Sequence, residues 1–160
     1  MSTAGKNDIR RRQLVLFGAI GAVGGLVGAQ FLRADDSSDA RRVLSVLDAH
    51  QAALDKSVTL IDVRRPDEWA RTGIGEGAFG IDMRRKDFIE ALSDIVGPDR
   101  SVPIALICAR GVRSARMARR LSEAGFTQII DVPEGMLGSA AGPGWLALDL
   151  PVRAYDEGNG

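Results

Sequence analysis

The sequence predicts an α/β fold, a parallel β-sheet of about five strands with helices on both faces. Three observations carry this. Thr59-Leu-Ile-Asp-Val-Arg64, Val102 to Ile107 and Gln128-Ile-Ile-Asp-Val132 are apolar, β-branched runs without polar alternation, the pattern of strands buried on both sides. Between them, apolar residues recur at helical spacing: Phe88, Leu92 and Ile95 within 87–96, then Met117, Leu121 and Ala124 within 113–124. A chain of 160 residues, 45% hydrophobic and 26% charged, is large enough for one well-buried domain and too short for two.

Residues 1–12 are polar and end in Ile9-Arg-Arg-Arg12, and Leu14 to Leu32 is apolar apart from Gln30, with five glycines. This is the pattern of an export segment rather than of a domain core. Arg11-Arg12-Gln-Leu-Val15 resembles a twin-arginine signal, and Val27-Gly-Ala29 offers small residues for cleavage. An uncleaved signal anchor is the other reading, because 14–32 is about long enough to span a bilayer, and membrane contact would then run through this segment. Either way the rest of the chain is expected to be exported, to a periplasmic or other extracytoplasmic location, since the arginines stay inside.

Residues 33–39 form a polar linker with a helix-start signal at Ser38 or Asp39, and 40–154 form the folded domain. Val43, Leu44 and Leu47, then Ala52 to Leu54, predict a first helix carrying His50. The strand at 59–64 follows, then a short helix at Pro66-Asp-Glu-Trp-Ala-Arg71 with proline in its first turn. A glycine-rich turn (72–78), a short strand at Ile81-Asp-Met83 and the helix 87–96, ended by Gly97-Pro98, come next. The strand 102–107 and the helix 113–124, capped by Gly125, precede the last strand, and the segment beyond 154 is expected to be a disordered tail.

Composition narrows the chemistry. Formal charge is zero overall, but Lys6, Arg10, Arg11 and Arg12 precede residue 13 with only Asp8 against them, leaving the remainder with seventeen basic and twenty acidic residues. No global basic surface points to nucleic acid. One cysteine and one histidine exclude an internal disulfide and a Cys/His metal cluster, so no metal is expected. His50 is expected to be a surface or satisfied histidine rather than a catalytic base.

The remaining chemistry concentrates at Cys108-Ala-Arg-Gly-Val-Arg-Ser114. A cysteine between the C-terminal end of a parallel strand and the start of a helix sits where open α/β sheets bind ligands. Backbone N–H groups of the turn and first helical turn, with Arg110 and Arg113, should favour the thiolate, leaving an exposed and oxidation-prone nucleophile. Gly111 gives the backbone freedom for a tight cradle. Arg116, Arg119 and Arg120 continue along the helix and are expected to divide between solvent and the rim of the site.

The stretch 108–114 resembles the active-site loop of the rhodanese family, single-domain sulfurtransferases in particular. The resemblance extends over about residues 40–154. Asp62, Arg64, Glu68 and Trp69 are similar to that family's Asp-x-Arg signature, and Glu134-Gly-Met-Leu-Gly138 through Gly144-Trp145 to Leu150-Pro-Val152 resembles its closing elements. It implies a rhodanese-like fold and a catalytic Cys108 that takes a sulfane sulfur from a small anionic donor such as thiosulfate and passes it to cyanide or a thiol. It further implies substrate contacts from Ala109, Arg110, Gly111, Val112, Arg113 and Ser114, a structural role for Asp62, Arg64 and Glu68, and no cofactor. The family commonly has Gly-His-Ile-Pro-Gly-Ala where this chain has Thr72-Gly-Ile-Gly-Glu-Gly-Ala78, and many thiosulfate-using members have arginine where this chain has Ala109. Two rivals remain at this stage, a module that only carries or senses sulfur or an oxyanion, and a phosphatase or arsenate reductase. Against the latter, only four residues separate Cys108 from Arg113, where related phosphatase loops need five.

Overall fold

The protein is described from a computed structural model covering residues 42–156. The proposed export segment, the linker and residues 157–160 lie outside the described residues. Five parallel strands form the main sheet: β1 (Arg42–Val43), β2 (Thr59–Asp62), β4 (Ala78–Gly80), β5 (Ile104–Ile107) and β6 (Ile129–Val132), in the order β1-β6-β5-β2-β4. A separate antiparallel pair joins β3 (Ile74–Gly75) to β7 (Val152–Arg153). The helices are α1 (Val46–Leu54), α2 (Pro66–Thr72), α3 (Phe88–Val96) and α4 (Val112–Glu123), with one 3₁₀ turn at Trp145–Leu148.

The unbroken apolar strands are explained by two cores, one on each side of the sheet. Along β5, Ile104 and Leu106 enter a cluster with Ile61, Phe88 and Leu92 of α3 and Met117 and Leu121 of α4. Ala105 and Ile107 face the other way, into a cluster with Leu60, Val46 and Ala49 of α1, Trp69 of α2 and Trp145. Alternate residues of one strand thus serve opposite cores, which a half-exposed strand could not do. Helix α4 ends in a Schellman arrangement: Gly125 takes a positive φ of 91°, Phe126 N–H donates to Leu121 O at 3.0 Å, and both apolar side chains are buried in the same core.

Three boundaries differ from expectation. Val43 and Leu44 are not helical: β1 pairs with β6, Leu44 N–H donates to Asp131 O, and α1 begins only after Ser45, whose hydroxyl accepts from Asp48 N–H. The Ser-x-x-Asp cap at 45–48 is a stronger start signal than the apolar spacing that suggested an earlier one. The short strand after α2 is Ala78–Gly80 and not Ile81–Met83, because the turn at Glu76-Gly77 aligns Ala78 with Leu60 of β2. Tyr155, assigned to the tail, lies against Trp69 with ring centroids 5.2 Å apart. The β3–β7 pair, also unforeseen, is fixed by Trp145: its indole N–H donates to Pro151 O at 2.9 Å, and a Cβ at Gly75 would stand 2.8 Å from the indole ring. Among the described residues, no helix is long and apolar enough to cross a membrane.

Candidate active site

Cys108 follows β5 directly and continues its alternation, so it belongs to the core shared by Leu106, Met117 and α3. Only 1% of its surface is exposed, which corrects the expectation of an open thiol: the side chain is a core member at the end of β5. The loop then turns outward. Ala109 remains buried, Arg110 is exposed, and Gly111 adopts a left-handed φ of 80° that starts α4. Gly111 tolerates no side chain, since a Cβ there would meet Pro133 O at 2.3 Å. Val112 is 71% exposed, whereas Ser114 is fully buried and donates its hydroxyl to Gly111 O at 3.0 Å.

Among the described residues, the backbone N–H groups from Ala109 to Ser114 donate to no protein acceptor, and the first intrahelical bond is Ala115 N–H to Gly111 O. Consecutive unpaired N–H groups at a helix start form a partial positive charge suited to an anion. Two arginines flank them and behave differently. Arg113 sets both terminal nitrogens on Glu68, at 2.6 and 2.7 Å, so its charge is matched within the protein. Among the described residues Arg110 donates only to Gly138 O, at 3.3 Å, and pairs with no carboxylate. The two arginines thus differ in surroundings, Arg113 being paired with Glu68 and Arg110 exposed.

Glu68 is braced in turn from α2, where one carboxylate oxygen also accepts Arg65 N–H at 3.1 Å. The Arg113 guanidinium holds the Glu68 carboxyl down at about 2 against the opposing effect of burial. Glu68 reciprocally raises Arg113 above the usual guanidinium range; burial opposes this and Cys108 adds a smaller upward contribution. A carboxyl whose folded-state pKa is depressed stabilises the fold fully above its unfolded value, and that stabilisation is lost as pH falls through the folded value. Glu68→Gln should accordingly cost on the order of 2 kcal/mol at neutral pH, and the two proteins should converge as pH falls from about 4.5 towards 2, as urea midpoints would register. A constant difference across that range would assign the stabilisation to something other than the charge of Glu68.

Asp62 and Arg64 form a second pair, fully buried, with Arg64 Nη2 2.7 Å from Asp62 Oδ2 and Nε within 3.0 Å of both carboxylate oxygens. The remaining donors of Arg64 reach Thr72 Oγ1 at 2.8 Å and Gly73 O at 2.7 Å, tying the end of β2 to the end of α2. The pair holds the end of α2, and it is Glu68 that reaches the cysteine loop. His50 stands away from the loop, 3.1 Å from Glu76 and edge-on to Trp145. Among the described residues, no three His, Cys, Asp or Glu side chains are grouped as metal ligands.

The sequence had not assigned the segment 133–138 to the site. Met136 N–H donates to Cys108 O at 2.8 Å and Leu137 N–H to Ala109 O at 2.9 Å, so this segment forms the second wall of the cysteine loop. The adjacency of β6 to β5, which brings their following loops together, is the signal that could have found it.

A family profile described as the Rhodanese-like domain matches residues 45–141, more than half of the chain. None of the curated proteins compared matches it. Among solved structures, the chain is similar to the polysulfide-sulfur transferase homodimer of Wolinella succinogenes, with 29% identity and a TM-score of 0.55 over 75% of this chain and 83% of that one. It is also similar to a rhodanese-related protein of Thermoplasma volcanium, with 27% identity and a TM-score of 0.54 over 71% and 99% of the two chains. A protein of M. tuberculosis is 25% identical, with a TM-score of 0.55 over 72% and 98%.

Proposed function

Since this chain belongs to the rhodanese-like domain family, we propose that it is a sulfurtransferase working through a persulfide on Cys108. The observation that carries the proposal is the placement of the one cysteine immediately before six backbone N–H groups that have no acceptor among the described residues. The Cys108 thiolate attacks the outer sulfur of a donor such as thiosulfate. A new S–S bond forms, the old one breaks, and sulfite departs with its electron pair. An acceptor thiolate or cyanide then attacks the outer sulfur of the persulfide, and Cys108 leaves as thiolate. Both steps move negative charge across the same sulfur, which the N–H groups of 109–114 stabilise as an oxyanion hole stabilises an oxygen. Arg110 supplies the free positive charge for an anionic donor, while Arg113 on Glu68 fixes the loop.

The likeness to the Wolinella transferase supports this reading and adds polysulfide to thiosulfate as a donor to test. Incubation of the full chain with either donor should yield a protein one sulfur atom heavier, with the addition mapping to Cys108 and removed by cyanide. Unchanged mass with both donors would overturn the assignment.

The proposal extends to location: Arg11-Arg12 and the apolar segment 14–32 support export of the domain, by a twin-arginine-like signal or on an anchor. Replacing both arginines by lysine should block delivery through a twin-arginine signal and leave an anchor working. Wild-type protein found intact in the cytoplasm would exclude both.

A further inference from the structure

The arginines of the described domain fall into two groups. Arg42, Arg64, Arg65, Arg71, Arg84, Arg85, Arg100, Arg110, Arg113 and Arg153 each donate to a carboxylate, an amide or a carbonyl. Arg116, Arg119 and Arg120 are exposed and donate to nothing among the described residues. Glu123 lies four residues after Arg119 and three after Arg120, yet forms no ion pair with either. The favourable charge of a helix C-terminus accounts for Arg120, in the last turn of α4, but not for Arg116 in its middle.

Their positions share one face of the helix. Counting from Val112, they stand four, seven and eight residues on, which is a single stripe at helical spacing. The stripe starts at the cysteine loop, where exposed Val112 and Leu137 make an apolar rim beside Arg110, and runs for about 12 Å along α4. That is far longer than cyanide or a small thiol. It is also a local feature on a chain whose net charge past residue 12 is negative, which suits a compact acidic patch better than an extended polyanion.

We infer that this face of α4 docks the sulfur acceptor, and that the acceptor is a protein whose reactive thiol lies beside an acidic surface. The inference rests on the sulfurtransferase reading and names the acceptor class for it. The apolar rim seats the residues around the incoming thiol, and the arginines orient and speed the encounter. In the transfer itself, the acceptor thiolate bonds to the outer sulfur of the Cys108 persulfide and Cys108 departs as thiolate, with no net redox change.

The test uses the full chain loaded with thiosulfate and two short peptides, one with its cysteine followed by a run of glutamates and the other by glutamines. The acidic peptide should discharge the persulfide about tenfold faster at low salt, and the advantage should fade as salt rises. In Arg116→Gln/Arg119→Gln/Arg120→Gln the advantage should vanish, and in the corresponding glutamate variant it should reverse. Discharge to 2-mercaptoethanol should stay within about twofold in both variants, and loading by thiosulfate should do so in the glutamine variant, because exposed side chains that donate to nothing are replaced. An advantage that survives in the variants, or its absence in the wild type, overturns the docking face. So does arginine-dependent retention on single-stranded RNA or phosphatidylglycerol vesicles without preference for the acidic peptide. Should Cys108 fail to load at all, the sulfurtransferase reading fails by itself. Fluorescence anisotropy of the acidic peptide with serine for cysteine then decides the surface, with binding lost in the glutamine variant expected and equal binding contrary.

Discussion

Cys108→Ser should lose sulfur transfer by at least about a thousandfold, the scale on which removal of a nucleophile acts. Serine has nearly the same shape but is un-ionised at neutral pH, and its oxygen forms no persulfide. Because the residue is a core member packed among Leu106 and Met117, the substitution also buries a hydroxyl and should cost roughly 1–3 kcal/mol of stability. Cys108→Ala separates the two effects, since it leaves a small cavity and no polar group. Both variants should be folded by circular dichroism and inactive with thiosulfate and polysulfide alike. Turnover retained in either would end the persulfide mechanism.

Removing Asp62 should have the largest effect on stability. Asp62→Ala leaves the guanidinium of Arg64 buried with only Thr72 Oγ1 and Gly73 O as acceptors, and breaking a buried pair on one side costs about 3–5 kcal/mol. On a domain of this size the melting temperature should fall by roughly 10–20 °C. Arg64→Met should be costly for the same reason, as it strands the carboxylate. Thermal unfolding of the double variant Asp62→Leu/Arg64→Met decides whether the pair is needed or only its completeness, and we expect recovery of most of the loss. A double variant as unstable as the singles would place the value of the pair in its hydrogen bonds to α2.

What the sequence disclosed, and what it did not, follows from the range of the interactions. The parallel sheet, its three central strands, the helices α3 and α4 and the cysteine at the end of β5 were legible because two-sided burial and helical spacing are written in consecutive residues. The roles of the two loop arginines were not. Arg110 and Arg113 are chemically equal in the sequence, and only the fold brings Glu68, forty-five positions away, onto one of them. The burial of Cys108 was hidden for a related reason: a residue that ends one strand can equally stand open or continue into the core, and α3 and α4 decide which. Strand β1 leaves no mark in the local pattern, since two residues show no period and its partner β6 lies at the far end of the domain.

That pairing also bears on how the chain is made. Arg42 aligns with Ile130 and Val43 with Asp131, so within the main sheet the strand made first is held by the strand made last. Until β6 emerges, β5 has an open edge of four apolar residues, Ile104 to Ile107, the kind of surface on which nascent chains associate wrongly. Loop closures of this length also make for slow folding. The main sheet therefore stays open until residue 132 is made, and a delay in translation before that point would prolong the exposure of the β5 edge.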